Sequence, residues 1–109
     1  PFTLKRQFHN GLDIATSYGN PIVAPADGIV VETKTDRMTG RAVVISHGWG
    51  VTTHYFHLDK WMVRPGQKLR RGDVIGLVGK SGKATGPHVH YEVRVNDKPQ
   101  NPMGFILEE

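Results

Sequence analysis

Short runs of alternating apolar and polar residues, interrupted by glycine and proline, make up most of this chain. The runs are rich in valine, isoleucine, threonine and aromatic residues, a composition typical of β-strands. Several such runs at close spacing predict an all-β fold, an antiparallel sandwich or open barrel with little helix and with long loops around a groove. The predicted strands are Ile22–Ala24, Gly28–Thr35, Ala42–His47, Val51–His57, Val74–Val78 and Val89–Val95.

The breaks between these runs carry signals of their own. Asn10-Gly11 favours positive φ and predicts a turn that leads into a strand at Leu12–Ile14. Pro25–Gly28 and Pro65–Gln67 also predict turns. A short helical turn is predicted at Leu58–Trp61, and it is the only helix that the sequence indicates.

Composition narrows the chemistry. The 109 residues, 12.1 kDa in mass, suit a single domain spanning residues 1–109. There is no cysteine, which excludes disulfides, thiolate zinc sites and cysteine nucleophiles, and leaves His, Asp and Glu as the strong metal ligands. The net charge of +4 favours an anionic partner such as nucleic acid, a lipid surface or a cell-wall polymer.

Targeting signals are not found in the sequence. No run approaches the roughly 20 apolar residues that a membrane-spanning helix needs, and no signal peptide is recognised. The chain begins at Pro1 rather than Met, and we expect it to be a processed or excised piece of a longer protein. On that expectation, targeting information is missing from this sequence rather than absent from the protein.

His88 and His90 form the most specific pair of polar residues in the sequence. Residues two apart on a strand point to the same face, so both imidazoles are expected to project into one space. A metal-binding or catalytic pair and a polar surface stripe both fit this pattern. Glu92 continues the same face. It would either orient a ligating imidazole or be a solvated or cross-strand carboxylate, and the sequence alone favours the latter.

His9 and Asp13 lie near the other end of the chain. A turn between them would let both side chains reach one metal ion through the reversal of the chain. For this pair taken alone, an exposed turn histidine followed by a turn-capping Asp is the simpler interpretation. Taken with His88 and His90, the pair predicts a split metal site of the kind found in a hydrolytic zinc enzyme.

The middle of the chain carries three more histidines. In the predicted strand His57 shares a face with Tyr55, and His54 points to the opposite face. Only one of these two histidines can then easily reach the same cleft as His88. For His47 and His54 a surface position or a hydrogen-bonded structural role is expected.

Six segments match one known family in order along the chain. They are Phe8–Ile14, Pro21–Gly28, Ser46–Gly50, Tyr55–Leu58, Gly66–Gly76 and Thr85–Glu92. Together they resemble the lysostaphin/LytM-type zinc metallopeptidases. The resemblance covers nearly the whole chain, although fewer residues precede the first motif than is usual in the family.

The resemblance implies a role for five residues. His9 and Asp13 correspond to the first two zinc ligands, in an H-x-x-x-D motif, and His90 corresponds to the third. His88 and His57 correspond to two catalytic histidines that do not bind the metal. Two His and one Asp leave a zinc position open for water, as catalytic sites do. One histidine would act as general base and the other would assist the oxyanion or the leaving amine, in either order.

The resemblance also implies a function. It predicts a zinc-dependent endopeptidase that hydrolyses the peptide stems or cross-bridges of bacterial peptidoglycan, secreted to the periplasm or the cell exterior. A D,D cross-link, a glycine bridge and a carboxypeptidase-type trim all stay open as the bond cut. An inhibitory prosegment or a regulatory partner outside this chain is compatible with the family. Candidate groove residues, each equally interpretable as loop or packing residues, are Tyr18, Trp49, Trp61 and Lys80–Gly86.

Four other interpretations are weaker. A non-cutting LytM-type regulator or cell-wall-binding scaffold is the main alternative, and the complete set of ligands and catalytic histidines disfavours it. Val63–Gly76 resembles the hairpin of biotinyl and lipoyl carrier domains, but no tip lysine motif accompanies it. A phosphate loop at Gly79–Lys83 is not supported, because Val74 and Leu77 occupy the positions where the motif requires its first glycine. Nucleic-acid binding is not expected, because the basic residues are scattered and no recognised motif accompanies them.

Overall fold

The computed structural model describes residues 3–6, 12–15, 19–79 and 88–100, and at 3–6, 12–15 and 88 it describes the backbone alone. Within these ranges the chain forms ten strands and no helix. All strand pairs there are antiparallel. The strands are β1 (Thr3–Arg6), β2 (Leu12–Ala15), β3 (Pro21–Val23), β4 (Gly28–Asp36), β5 (Gly40–Gly48), β6 (Val51–Trp61), β7 (Lys68–Leu69), β8 (Val74–Val78), β9 (His88–Val95) and β10 (Lys98–Gln100).

The strands form one curled sheet, a half-barrel, with the order β1-β2-β9-β6-β5-β4-β7. Strand β10 pairs with β9, and β3 pairs with β8, which in turn pairs with β6. The eleven residues of β6 therefore lie against three strands: β5, β9 and β8. The predicted all-β, antiparallel open barrel is confirmed.

The alternating pattern located the main strands well. Each predicted strand is present with small shifts at its ends, and the predicted strand at Leu12–Ile14 is part of β2. Bends at residues 25–27 and a turn at residues 65–66 confirm two of the predicted turns. The predicted turn at Asn10-Gly11 lies outside the described residues.

The predicted helical turn at Leu58–Trp61 is wrong, because β6 continues through these residues. Leu58 pairs with Val78 of β8, and Trp61 pairs with Gly76. The Trp61 indole also donates a hydrogen bond from Nε1 to the Ala42 carbonyl, 2.9 Å away. Pairing with β8 along this segment outweighs the weak helical preference of four residues.

One apolar cluster forms the core, and it lies on one face of the central strands. Val89, Tyr91 and Val93 of β9 contribute to it, so the residues between them belong to the opposite face. Ile22, Val51, Trp61 and Val63 pack against its edge. Its buried members are Ala24, Val30, Val43, Ile45, Tyr55, Leu58, Leu69, Ile75, Val89, Tyr91 and Val93.

The described ranges contain no helix long and apolar enough to cross a membrane.

Candidate metal and catalytic site

The face of β9 that points away from the core carries three polar side chains in succession. His90, Glu92 and Arg94 alternate with core residues of the same strand. His90 and Glu92 are buried, with 9% and 4% of their surface exposed. A buried polar face on a sheet requires partners for its polar atoms, because the desolvation of an unpaired group costs about 1–3 kcal/mol.

The imidazole of His90 is held on two sides. Its Nε2 lies 3.0 Å from Oε2 of Glu92. Its ring stacks on Phe56, the residue opposite it on β6, with ring centroids 5.5 Å apart and planes 7° from parallel. An ionised carboxylate only accepts hydrogen bonds, so Nε2 carries the proton of this pair.

Glu92 shares its two oxygens between two cationic or polar partners. Oε1 accepts hydrogen bonds from Arg94 Nε at 3.0 Å and Nη2 at 2.7 Å. Burial raises the pKa of Glu92, but the hydrogen bonds from His90 and Arg94 and their charges together outweigh it, so the pKa is lowered. Glu92 is buried and its hydrogen-bond partners are on its own strand, so the solvated or cross-strand carboxylate that the sequence favoured is wrong. Arg94 was not singled out, although its position two residues after Glu92 on one strand face is a signal for such a pair.

His57 lies where β6 changes its neighbour. Phe56 pairs with His90 of β9, whereas Leu58 pairs with Val78 of β8. Between them, His57 has a φ of 68°, in the left-handed region that non-glycine residues rarely adopt. The site thus lies in a fork where β8 and β9 leave the common strand β6.

A β-bulge explains this backbone. Tyr55 and Leu58 both belong to the core, although two residues rather than one separate them. The register of β6 with β5 shifts at the same place, from Val43 opposite Tyr55 to Arg41 opposite Leu58. The prediction that His57 shares a face with Tyr55 assumed unbroken alternation, and the bulge interrupts that alternation.

Two neighbours fix the backbone of the bulge. The His57 amide donates to the carbonyl of Thr39, in the turn between β4 and β5, at 2.8 Å. Gly79, directly after β8, packs against the backbone of the next two residues of β6. A Cβ at Gly79 would contact the Asp59 amide nitrogen and lie 2.8 Å from the carbonyl carbon of Leu58. The sequence pattern predicts neither contact, and only glycine permits the second.

The described residues bring together only two of the three predicted zinc ligands, Asp13 and His90. Asp13 is opposite His90 in the pairing of β2 with β9, and His88 is opposite Ala15. His9 and the side chains of Asp13 and His88 lie outside the described part of the chain. Among the side chains that are described, no group of three His, Asp or Glu residues could hold a metal ion.

His54 is buried on the polar face, opposite Glu92 in the register. Its Nε2 is hydrogen-bonded to Thr52 Oγ1 at 2.9 Å. Burial lowers the pKa of His54 to about 4, and the charge of Arg94 acts in the same direction while Glu92 opposes it. Lys34 lowers this pKa further and Asp97 raises it. His54 is therefore neutral near pH 7, and the hydrogen-bonded structural role is confirmed.

His47 also has the structural role that was expected. Its Nδ1 is 2.8 Å from the Asp27 carbonyl, and its Nε2 is 2.7 Å from Thr53 Oγ1. A carbonyl only accepts, so Nδ1 carries the proton and the Thr53 hydroxyl donates to Nε2. The Tyr55 hydroxyl donates to the same Thr53 oxygen at 2.7 Å.

The candidate groove residues divide. Trp61 packs against the core, so it is a packing residue. Trp49 is 97% exposed in the turn between β5 and β6 and contributes nothing to the core. Tyr18 and Lys80–Gly86 lie outside the described residues.

Comparison with known proteins identifies the family of this fold and site. Residues 7–102 match peptidase family M23. The chain belongs to peptidase family M23. This M23 chain is 46% identical over 103 residues to the peptidoglycan DD-endopeptidase ShyA of Vibrio cholerae, a match that covers 94% of the chain and 24% of ShyA. It is 43% identical over 101 residues to the DD-carboxypeptidase/endopeptidase Mpg of Neisseria meningitidis, covering 93% and 23% of the two chains. The M23 chain thus spans about a quarter of the length of these relatives.

Solved M23 structures have the same fold. A putative peptidase M23 from Pseudomonas aeruginosa matches with a TM-score of 0.90 and 43% identity, over 94% of this chain and 46% of that one. A zinc-containing peptidase from Vibrio cholerae matches with a TM-score of 0.82 and 39% identity, over 91% and 33%. The catalytic domain of lysostaphin from Staphylococcus simulans matches with a TM-score of 0.83 and 29% identity, over 96% and 85%. The predicted lysostaphin/LytM-type resemblance, the metallopeptidase class and zinc as the metal are confirmed at the level of the M23 family.

Proposed function

We propose that this chain is the catalytic domain of a zinc-dependent endopeptidase that cuts the peptide stems or cross-bridges of bacterial peptidoglycan. Residues 1–109 would act as one domain, working in the periplasm or at the cell exterior. Membership of the M23 family supports the reaction class, and the names of ShyA and Mpg support the substrate. The observation that carries the proposal is that Asp13 and Phe56, which precedes His57, flank His90 on its two neighbouring strands.

Asp13 and His90, which are opposite each other in the pairing of β2 with β9, are residue types that suit a zinc ion. The proposed ligands are His9, Asp13 and His90, and two imidazoles with one carboxylate are donors that zinc prefers. His90 is buried and its ring is held by Glu92 and Phe56, so its orientation costs little on binding. Because Nε2 donates to Glu92, Nδ1 is the nitrogen that would bind the metal.

Chemistry would be shared between the metal and two histidines. A bound zinc ion supplies Lewis acidity, which polarises a carbonyl and makes water acidic enough to react near neutral pH. His57 and His88 are proposed to hold and move protons. One accepts a proton from the attacking water, and the other donates to the developing oxyanion or the leaving amine.

The bulge would give His57 a fixed position for this role. Its amide is hydrogen-bonded to the carbonyl of Thr39, and the two residues that follow it are backed by Gly79, which approaches β6 more closely than any larger residue could. A catalytic group on such a braced backbone loses little entropy when the substrate binds.

The test is digestion of purified peptidoglycan by the zinc-loaded chain, with the products identified by mass spectrometry. We expect hydrolysis by the wild type and by the control variant His47→Gln, because His47 has a structural role. His57→Ala should cut about 10²–10⁴-fold more slowly while retaining zinc. Intact peptidoglycan, where a known hydrolase cuts it, would overturn the proposed function. Undiminished cutting by His57→Ala would overturn the role of that residue alone.

The same digestion identifies the bond. The names of ShyA and Mpg lead us to propose a D,D-peptide bond rather than a glycine bridge. Directly cross-linked peptidoglycan should therefore yield new termini at the cross-link, and glycine-bridged peptidoglycan should be cut poorly. Release of single terminal residues without loss of cross-links would instead indicate a carboxypeptidase.

A further inference from the structure

We propose that Glu92, held in place by Arg94, is a positioning residue that fixes the imidazole tautomer of His90 and so selects the nitrogen offered to the metal. The inference rests on the proposed function, because it assumes that His90 binds zinc. It goes beyond that function by assigning work to two residues that would touch neither the metal nor the substrate.

The first step is the contact between the carboxylate and the imidazole. Glu92 Oε2 lies 3.0 Å from His90 Nε2, and both side chains are buried. A neutral imidazole carries one proton, on either Nδ1 or Nε2. The carboxylate stabilises the form with the proton on Nε2, which places the lone pair on Nδ1. Stacking on Phe56 keeps the ring in the orientation that this hydrogen bond needs.

Arg94 binds the other carboxylate oxygen of Glu92. Two guanidinium N–H groups donate to Glu92 Oε1, at 3.0 and 2.7 Å. The carboxylate therefore presents one oxygen to Arg94 and the other to His90. On the neighbouring strand His54, which is opposite Glu92, bonds to Thr52 Oγ1.

Replacing the Glu92 carboxylate by an amide of the same shape should change the tautomer of His90. In Glu92→Gln the two N–H donors of Arg94 require the amide oxygen to face them. The amide NH₂ group must then face His90, and it can only donate. His90 Nε2 would have to accept, which moves the imidazole proton to Nδ1, the nitrogen proposed for zinc. The substitution would reverse the tautomer rather than merely weaken a hydrogen bond.

Removing Arg94 as well should undo that reversal. In the double variant Glu92→Gln with Arg94→Ala, the amide can turn its oxygen towards His90 and accept from Nε2. A role that is only structural predicts the opposite order, in which the double variant is more disturbed than the single one.

The tautomer can be read in the metal-free chain by ¹⁵N NMR of the His90 side chain, at about pH 8, where an ordinary imidazole is neutral. We expect the proton on Nε2 in the wild type, on Nδ1 in Glu92→Gln, and largely back on Nε2 in the double variant. A wild-type His90 with its proton on Nδ1 would overturn the proposal without any variant having to fold.

Zinc affinity supplies the second measurement, by competition with a chromophoric chelator. Glu92→Gln should bind zinc about 10–100-fold more weakly, and the double variant should recover part of the loss. The matched control is Glu32→Gln on β4, where the acid two residues before Lys34 is half exposed and lies 3.9 Å from the lysine. The control should behave like the wild type.

The outcomes separate this inference from the proposed function. Wild-type zinc affinity and an unchanged tautomer in Glu92→Gln would overturn the positioning role while leaving the peptidase proposal intact. A wild-type chain that binds no zinc would overturn the proposed metal site, although the NMR result would still report the hydrogen bond.

Discussion

The two faces of β6 and β9 are both buried, yet different forces hold them together. On the core face, Tyr55 and Tyr91 pack with ring centroids 5.4 Å apart, in the same apolar cluster as Val93, which is fully buried. On the opposite face, His90 and Glu92 are nearly as deeply buried, but each is fixed by directed hydrogen bonds. Packing depends on volume, whereas the polar face depends on which atom donates and which accepts.

Because of this difference, the two faces should tolerate different kinds of substitution. Among the described residues no buried side-chain nitrogen or oxygen is without a hydrogen-bond partner. A substitution of similar shape should therefore be mild on the core face and disruptive on the polar face when it changes a donor into an acceptor.

The largest loss of stability is expected on the core face. Leu58→Ala removes a side chain that is 0% exposed and should lower the free energy of unfolding by about 3–4 kcal/mol. Val74→Ala, at a position 40% exposed on β8, is the control and should cost less than about 1 kcal/mol. Urea unfolding of both variants measures the difference. Equal losses would contradict the assignment of this face as the main source of stability.

On the polar face, the stability contributed by His54 should depend on pH. Its pKa is about 4 in the folded chain and near 6.5 when unfolded, so the unfolded chain takes up the proton first as the pH falls. Stability is thus fully present above pH 6.5 and is lost between there and pH 4. We expect a loss of about 2–3 kcal/mol relative to His54→Gln over this range. Urea unfolding at several pH values measures it, and parallel pH profiles for the two proteins would refute the expectation.

Gly79 tests the close approach behind the bulge. Gly79→Ala places a Cβ onto the backbone of Leu58 and Asp59, which should cost about 2 kcal/mol and displace His57 enough to slow hydrolysis. Gly48→Ala is the comparison, because a Cβ there meets no atom within 4 Å although φ is 86°. It isolates backbone strain and should cost about 1 kcal/mol with hydrolysis unchanged. Thermal unfolding and the digestion assay measure both, and equal activities would argue against the bracing role of Gly79.

The smallest effect concerns the backbone of His57 itself. Both His57→Ala and His57→Gly remove the imidazole, but only glycine adopts a φ of 68° without strain. The glycine variant should therefore be the more stable of the two, by up to about 1 kcal/mol. Thermal unfolding distinguishes them. A more stable alanine variant would show that this residue does not hold the left-handed conformation in solution.

The sequence predicted the strands whose side chains alternate clearly, such as β4, β5 and β9. It missed β1, β7 and β10, because strands of two to four residues rich in lysine and arginine carry little alternation. It also misread the end of β6 as a helical turn, because four residues carry too little local preference to reveal the pairing that decides their conformation.

The site was predictable in its residue types and less so in its geometry. His88, His90 and Glu92 were expected on one strand, and the backbone of β9 carries all three. The burial of Glu92 depends on the strands beside it, which no local pattern reveals. The bulge at His57 contains no glycine that would indicate a left-handed backbone. Simple alternation therefore predicted a regular strand through this residue. The roles of His9, Asp13, His57, His88 and His90 stay predictions.

The bulge makes β6 one residue longer than regular pairing needs. Without His57, Tyr55 and Leu58 would stand in ordinary alternation, and their register with Val43 and Arg41 would run without a shift. In genetic terms, deletion of a single codon would leave the sheet and its core in place while removing the side chain proposed for catalysis. Gaining the site is harder than losing it, since it requires an inserted histidine, a left-handed backbone and a glycine behind them. Lineages of this fold can therefore shed their chemistry in one step and keep the scaffold for another use.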